Sequence, residues 1–273
     1  MPRMLTNKTV AVLGIGKLGE TLVRALLEAH VLRPNQILAT AKHRETVEAK
    51  AKRYGIRACS NAEAARKADI LIVSVKPQAM AEVLAGIRGA VRRSQLLIST
   101  AASVGTSFIE RGLGKSVPVI RTMPNTPCLL RSGMTGISPG RFARREHLAL
   151  TEELFRSLGR SIVLDERYMD AVTGLSGSGP AFLYVVLEAL AEGGVKVGLP
   201  REIATELAAQ TMLGAARMVL ETREHPAKLK DVVTTPAGCT IDGLLELEDG
   251  GLRVALIKAV VKATQRASEL LHS

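Results

Sequence analysis

The feature that most restricts this chain stands at its start. A compact apolar run, Thr9-Val10-Ala11-Val12-Leu13, closes on Gly14-Ile15-Gly16-Lys17-Leu18-Gly19 and opens into a helical pattern from Leu18 to Ala29. A strand, a glycine-rich turn and a helix in that order begin a doubly wound sheet and fit few other folds. The glycine spacing has physical reasons. Gly14 permits the tight turn, Gly16 lets the backbone reach a pyrophosphate, and Gly19 lets helix and strand pack closely. The pyrophosphate would rest on the free N–H groups and positive dipole end of the helix. Taken alone the pattern is also that of a plain strand-to-helix turn; its context favours dinucleotide binding.

The alternation continues. Residues 36–40, 70–75, 96–100 and 117–121 read as apolar strands, and residues 45–54 and 79–91 as helices. Near-continuous apolar strands separated by amphipathic helices predict a parallel sheet covered on both faces. After Leu164 the character changes to helical periodicity punctuated by glycine. Helices are expected over residues 180–196, 200–222 and 251–271, with shorter ones near 168–175, 226–233 and 241–248. Pro180, Pro200 and Pro226 stand where a first helical turn tolerates proline. The expected fold is therefore α/β: a Rossmann-type domain, residues 1–164, followed by an all-helical domain, residues 165–273.

Composition narrows the function. The chain is 47% apolar and 23% charged, which excludes a disordered protein. Its formal charge of +11 is spread along the whole length with no aromatic interleaved, so no specific nucleic-acid partner is expected. A diffuse basic surface instead draws in anionic substrates and phosphorylated cofactors. Cys59, Cys128 and Cys239 stand far apart and read as free thiols in a reducing compartment. The polar start lacks a signal-peptide profile, and no apolar stretch approaches the ~20 residues of a membrane span. A cytoplasmic protein without a membrane partner is expected. The five histidines show no ligand spacing, so no metal is expected either.

About twenty residues beyond the fingerprint, an acidic residue would clasp the ribose of NAD. Here Thr40-Ala41-Lys42-His43-Arg44 offers a hydroxyl and cations that suit a 2′-phosphate. NADPH is the expected cofactor, with NADH possible; the alternative is that Lys42 and Arg44 are only solvated at a helix start.

Several runs carry a family resemblance. Residues 172–181, Val-Thr-Gly-Leu-Ser-Gly-Ser-Gly-Pro-Ala, resemble the run that opens the long helix of pyrroline-5-carboxylate reductases. Residues 234–241, Thr-Thr-Pro-Ala-Gly-Cys-Thr-Ile, are similar to that family's signature loop, followed by Gly250-Gly251-Leu252-Arg253. Residues 75–77, 100–102, 123–127 and 193–200 match too, in the family's order, from Val10 to about Leu270. Ala237, Cys239 and Pro124 depart from the pattern at positions that bear on substrate affinity rather than on the reaction.

The resemblance implies reduction of L-1-pyrroline-5-carboxylate to L-proline, the last step of proline synthesis, by hydride transfer from NAD(P)H. It implies a cofactor lined by Gly14, Gly16, Lys17, Leu18 and Gly19, with Asn61 on the adenosine side. Ser74, Val75, Lys76, Pro77, Thr100, Ala101 and Ala102 would line it further along. It places the small cyclic imino acid against Thr235, Gly238, Cys239 and Thr240, with Asn125 beside it. It also implies a homodimer or a higher oligomer of dimers, each active site drawing on both chains.

The chemistry stands beside that resemblance. A cyclic imine needs a hydride donor, orientation and a proton for nitrogen, but no metal or covalent nucleophile. Thr234, Thr235 and Thr240 form a hydroxyl-rich loop before a helix expected at Ile241, where N–H groups can bind a carboxylate. A Thr240 hydroxyl can hydrogen-bond the imine nitrogen, which makes it the candidate catalytic group. It can equally be an N-cap, and the two roles can coexist. Two other readings remain open. A hydroxyacid reductase of similar build would carry a lysine on the helix after the sheet domain, and none occurs between Pro180 and Lys196. A non-catalytic cofactor sensor would show salt-steep affinity for DNA.

Overall fold

In the computed structural model, which describes residues 5–269, the opening run is strand β1 (Val10–Leu13), and the helix after the glycines is α1 (Lys17–Glu28). There follow β2 (Ile37–Thr40), α2 (Arg44–Tyr54), β3 (Arg57–Ala58), α3 (Asn61–Lys67) and β4 (Ile70–Val73). Next come α4 (Met80–Ile87), β5 (Leu96–Ser99), α5 (Thr106–Leu113), β6 (Val119–Met123), β7 (Gly133–Pro139), α6 (Arg145–Arg156) and β8 (Gly159–Val163). The strands form one sheet in the order β3-β2-β1-β4-β5-β6-β7-β8.

Successive residues of the central strands face opposite sides. Val10, Val12, Ile70 and Ile72 join one apolar layer, and Ala11, Leu13, Leu71 and Val73 join the other. Both faces are covered, which is why these strands read as unbroken apolar runs. The expected parallel sheet is present, with one antiparallel pairing added. Strand β7 runs antiparallel to β6, while every other pairing is parallel. A short 3-10 segment, Thr126–Leu130, turns the chain directly back, leaving no crossover helix between them.

The chain divides into two compact units. One takes in residues up to Ser178 together with the stretch from Lys262 onward; the other is Gly179–Val261. At the end of the first lies a four-residue helix α7 (Met169–Val172), which widens into a π-turn, Thr173–Gly177. The second unit holds α8 (Gly179–Lys196), α9 (Arg201–Thr222), α10 (Pro226–Val232) and α11 (Cys239–Asp249). It also holds most of α12 (Leu252–Glu269). Helices α8 and α9 approach through small residues. A Cβ on Gly194 would stand 2.9 Å from that of Ala204.

One helical run bears on the expectation that no segment spans a membrane. The helical run Glu166–Lys196 is long and apolar enough by length and composition, because its many Gly, Ser and Ala residues interrupt the apolar pattern without adding charge. Only 11% of that apolar window is buried within the chain.

Candidate active site

The glycine turn is held from below. Gly14 adopts φ +95°, and its N–H donates to the Thr40 carbonyl at 3.1 Å and to the Thr40 hydroxyl at 3.3 Å. A Cβ on Gly14 would stand 2.6 Å from the Ser74 carbonyl oxygen, and one on buried Gly19 would run into the Gly14 carbonyl. Gly16 differs. It is the exposed N-cap of α1, no side chain caps it, and open space lies where its Cβ would be. Thr40 thus supports the turn as a buried residue instead of standing out beside Lys42 and Arg44. Lys50, on α2, adds a second support by donating to the Ile15 carbonyl and pairing with Glu20, both at 2.7 Å. The Lys50 hydrogen bond, helped by the Tyr54 hydroxyl and opposed by burial, holds Glu20 below the ordinary carboxylate value.

Around this turn stand the other residues expected to line a cofactor. Lys17 is exposed at the start of α1, and Leu18 leans on the core. Ser74 follows β4, and its Oγ is buried with no hydrogen-bond partner among the described residues. Val75, Lys76 and Pro77 lead from it into a 3-10 turn. Thr100 is buried behind β5, and its hydroxyl donates to the Val73 carbonyl at 3.4 Å. The Ala101 N–H donates to the Ser99 hydroxyl at 3.3 Å, and Ala102 is half-buried. Past β2, Lys42 and Arg44 line a cleft of about 410 Å³ with Cys59, Ser60 and Glu63. Arg44 is paired with Glu48 at 2.6 Å, and Asn61 opens α3 behind its Ser60 cap. An open approach at Gly16, an orphaned Ser74 hydroxyl and backbone N–H groups at a helix start fit a dinucleotide. A larger cleft of about 630 Å³, lined by Arg93, Ser116, Arg141 and Arg144, lies at the opposite ends of β5 and β6 and contains none of these residues.

Asn125, expected beside the substrate, is engaged as a brace. Its Oδ1 accepts from the Met134 N–H at 2.9 Å, and its Nδ2 donates to the Ser176 carbonyl at 3.2 Å. The π-turn is thereby held against the carboxyl end of β6. Sequence reasoning did not single out Arg121, Thr106, Glu166 or Asp170, which form a linked cluster of a buried guanidinium with two partly exposed carboxylates. An arginine inside the apolar run Val119-Ile120 was the available signal.

In the second unit the signature loop runs from Thr234 to Gly238. Ala237 sits at φ +57°, and the Gly238 N–H donates to the Thr235 carbonyl at 3.0 Å. The helix begins earlier than expected. Gly238 is the N-cap of α11, and Cys239 and Thr240 are its first two residues. Thr240 is therefore not an N-cap. Its side chain is half-buried, and among the described residues its hydroxyl has no hydrogen-bond partner. Cys239 and Thr235 are exposed. The first N–H groups of α11 lack intrahelical partners, so the loop presents donors and hydroxyls together.

Known proteins resolve which family carries a glycine turn in one unit and a threonine loop in the other. Residues 166–270 match the family model described as pyrroline-5-carboxylate reductase dimerisation. Residues 9–103 match one described as NADP oxidoreductase coenzyme F420-dependent. The pyrroline-5-carboxylate reductase of Methanosarcina acetivorans is 42% identical, over 97% of this chain and 99% of its own. The chain belongs to the pyrroline-5-carboxylate reductase family. The Arabidopsis thaliana member is 41% identical over 97% of this chain and 96% of its own. A crystal structure of the Plasmodium falciparum pyrroline carboxylate reductase with NADP bound superposes at a TM-score of 0.88. It shares 28% identity and covers 97% of this chain and 98% of that one. Within this family of oxidoreductases the hydroxyacid and sensor readings fall away.

Proposed function

We propose that this pyrroline-5-carboxylate reductase works through two surfaces of its chain, the glycine turn and the Thr235–Thr240 loop, in reducing L-1-pyrroline-5-carboxylate to L-proline. The observation that carries this reading is the loop itself. It joins the unengaged Thr240 hydroxyl to the free N–H groups at the start of α11. A bound nicotinamide cofactor supplies the hydride. The chain's own residues do the rest. The N–H groups of Cys239 and Thr240 hold the substrate carboxylate, Thr235 and Gly238 shape the loop, and the Thr240 hydroxyl donates to the ring nitrogen. Gly14, Gly16 and Gly19 present the α1 N-terminus to the pyrophosphate, with Lys17 and Leu18 following. Thr40 acts by holding that turn, and Ser74 to Pro77 and Thr100 to Ala102 line the nicotinamide side. Asn61 stands on the adenosine side.

Lys42 and Arg44 favour NADPH over NADH, because no acidic residue stands at the end of β2 to clasp a ribose hydroxyl. Asn125 contributes by bracing the Ser176 carbonyl in the π-turn. Residues 1–164 act as the dinucleotide-binding domain and 165–273 as the dimerisation and substrate domain. The dimerisation match over residues 166–270 supports that division. The apolar run Glu166–Lys196 then faces a second copy of the chain instead of lipid, in a cytoplasmic homodimer or an oligomer of dimers. No nucleic acid is part of this reading; the positive charge serves anionic ligands.

The test is direct. The protein is mixed with pyrroline-5-carboxylate and either NADPH or NADH, and loss of nicotinamide absorbance is followed. Turnover faster with NADPH supports the reading, and absence of turnover with both defeats it.

A further inference from the structure

Arg121 lies within the apolar strand β6 and is only 5% exposed. Its Nη2 donates to Asp170 Oδ1 at 2.7 Å, and its Nη1 stands 3.8 Å from Glu166 Oε1. Glu166 in turn accepts from the backbone N–H and from the hydroxyl of Thr106, both at 2.7 Å. Thr106 is the first residue of α5 and closes the loop that starts at Thr100. Asp170 is on α7, three residues before the π-turn. One buried cation therefore ties the far end of the cofactor-side loop to the segment that runs into the π-turn.

The same two pieces are pinned elsewhere. Ser103, at φ +66°, donates from its hydroxyl to the Ala267 carbonyl on α12. A Cβ on Gly174 would stand 2.8 Å from the backbone nitrogen of Thr264, also on α12. Asn125 holds Ser176 from the end of β6. A π-turn gives up regular helical bonding and occurs often at functional sites, so it needs such holding points. A buried guanidinium with two carboxylates is weak as a source of net stability, because desolvation offsets most of the attraction. Its better use is to select one arrangement of the elements it joins.

We infer that Arg121 is a positioning residue for the reduction: through Glu166 and Asp170 it fixes the loop Thr100–Ser103 and the π-turn Thr173–Gly177 relative to each other at the carboxyl ends of β5 and β6. It touches neither cofactor nor substrate. This inference rests on the reading of Thr100 to Ala102 as cofactor-lining. The ends of parallel strands are where ligands bind in open α/β sheets, and small misplacements there cost turnover more than binding.

The experiment uses the full-length enzyme with Arg121→Met, Arg121→Lys and Glu166→Gln. Three quantities are read: turnover, the dissociation constant of NADP⁺ by titration, and hydrogen exchange along the backbone. For Arg121→Met, kcat should fall by about 10²-fold, the loss expected of a misplaced site, while NADP⁺ still binds. Exchange should quicken in residues 100–105 and 173–178 and stay unchanged in residues 10–20. Arg121→Lys keeps one ion pair and should restore much of kcat. Glu166→Gln, which leaves Arg121 paired with Asp170, should quicken residues 100–105 more than residues 173–178, and it carries the test if Arg121→Met does not fold. Normal turnover in Arg121→Met, or exchange that quickens throughout the chain, overturns the inference. Exchange needs no substrate, so an enzyme that fails to reduce the imine defeats the functional reading while leaving the clamp itself open to measurement.

Discussion

The two units treat apolar side chains in opposite ways. In the first, every residue of β1, β2, β4 and β5 is buried, and two apolar layers close on the sheet. In the second, the buried residues among those described are alanines, Ala191, Ala204 and Ala208, while large side chains such as Leu183, Tyr184, Leu207, Leu213 and Ile257 stand about half exposed or more. The difference is one of completeness. A sheet covered by helices satisfies itself, whereas Gly179–Val261 leaves many large apolar side chains exposed, as surfaces that meet a partner do. In the proposed reading, cofactor binding falls to the self-sufficient unit and chemistry to the unit whose large apolar side chains are left uncovered within the chain.

The largest effect should come from the second unit. Thr240→Val keeps the shape of the side chain and removes its hydroxyl. If that hydroxyl assists protonation, kcat should fall by about 10²-fold or more, within the range for general acid help. Because Gly238 and not Thr240 caps α11, the melting temperature should hardly change. A stable variant with unchanged turnover would strip the second unit of its chemical role.

The next effect bears on completeness itself. Light scattering at assay concentrations should show a dimer. Leu207→Asp, placed on the exposed face of α9, should weaken it by about 10²-fold or more, since a buried leucine contributes roughly 1.5–3 kcal/mol and a symmetric interface loses it twice. An active monomer would break the contrast between the units.

Within the first unit, the expected effects are on cofactor alone. Removing the charges of Lys42 and Arg44 together should raise the Michaelis constant for NADPH by about 10- to 10²-fold, the equivalent of one charge-assisted bond to phosphate at roughly 1.5–3 kcal/mol. NADH kinetics should barely move. Arg44 already pairs with Glu48, so the smaller figure suits the structure better. Equal losses with both cofactors would remove the preference. Gly16→Ala is a narrower probe. Nothing stands within 4 Å of the added Cβ, so the fold should tolerate it while NADP⁺ affinity falls by about tenfold, a loss near 1.4 kcal/mol. Normal affinity would mean that the pyrophosphate does not approach there.

What was legible in the sequence follows the same division between local and distant causes. The glycine turn, β1 and α1 are contiguous, and their residues dictate their structure within twenty positions. Strand β7 contains Gly133 and Gly136, and β8 exposes Ile162 and Val163, so neither shows the apolar run that marked the central strands. The loop before α11 is legible in its motif, but the helix starts earlier than the pattern implies, because Ala237 turns the chain at positive φ where no glycine signals it. The Arg121 cluster joins residues 49 positions apart, and the Lys50 bond to the Ile15 carbonyl joins residues 35 apart. No local pattern announces contacts of that kind. Asn125 was found through its motif, yet its bonds to Met134 and Ser176 appear only in the fold.

The smallest effect tests how the self-sufficient unit prepares its turn. Lys50 donates to the Ile15 carbonyl and pairs with Glu20, whose carboxylate also accepts from the Tyr54 hydroxyl. Lys50→Met keeps the packing of the aliphatic stem but frees that carbonyl. The pair is partly exposed, so its loss should cost about 1 kcal/mol or less of stability, and NADP⁺ affinity should fall only a few-fold. The pH dependence has a definite sign. Glu20 is held below its ordinary value chiefly by the Lys50 hydrogen bond, so its contribution is fully present above the unfolded carboxylate value of about 4.3. It is lost as pH falls through the lower folded value, because both states are then protonated. Urea unfolding of the native enzyme and of Lys50→Met should therefore differ most at pH 7 and converge in acid. A gap that persisted undiminished in acid would assign the support of the turn to the Ile15 carbonyl bond alone, and a gap absent at pH 7 would mean that Thr40 holds the turn unaided.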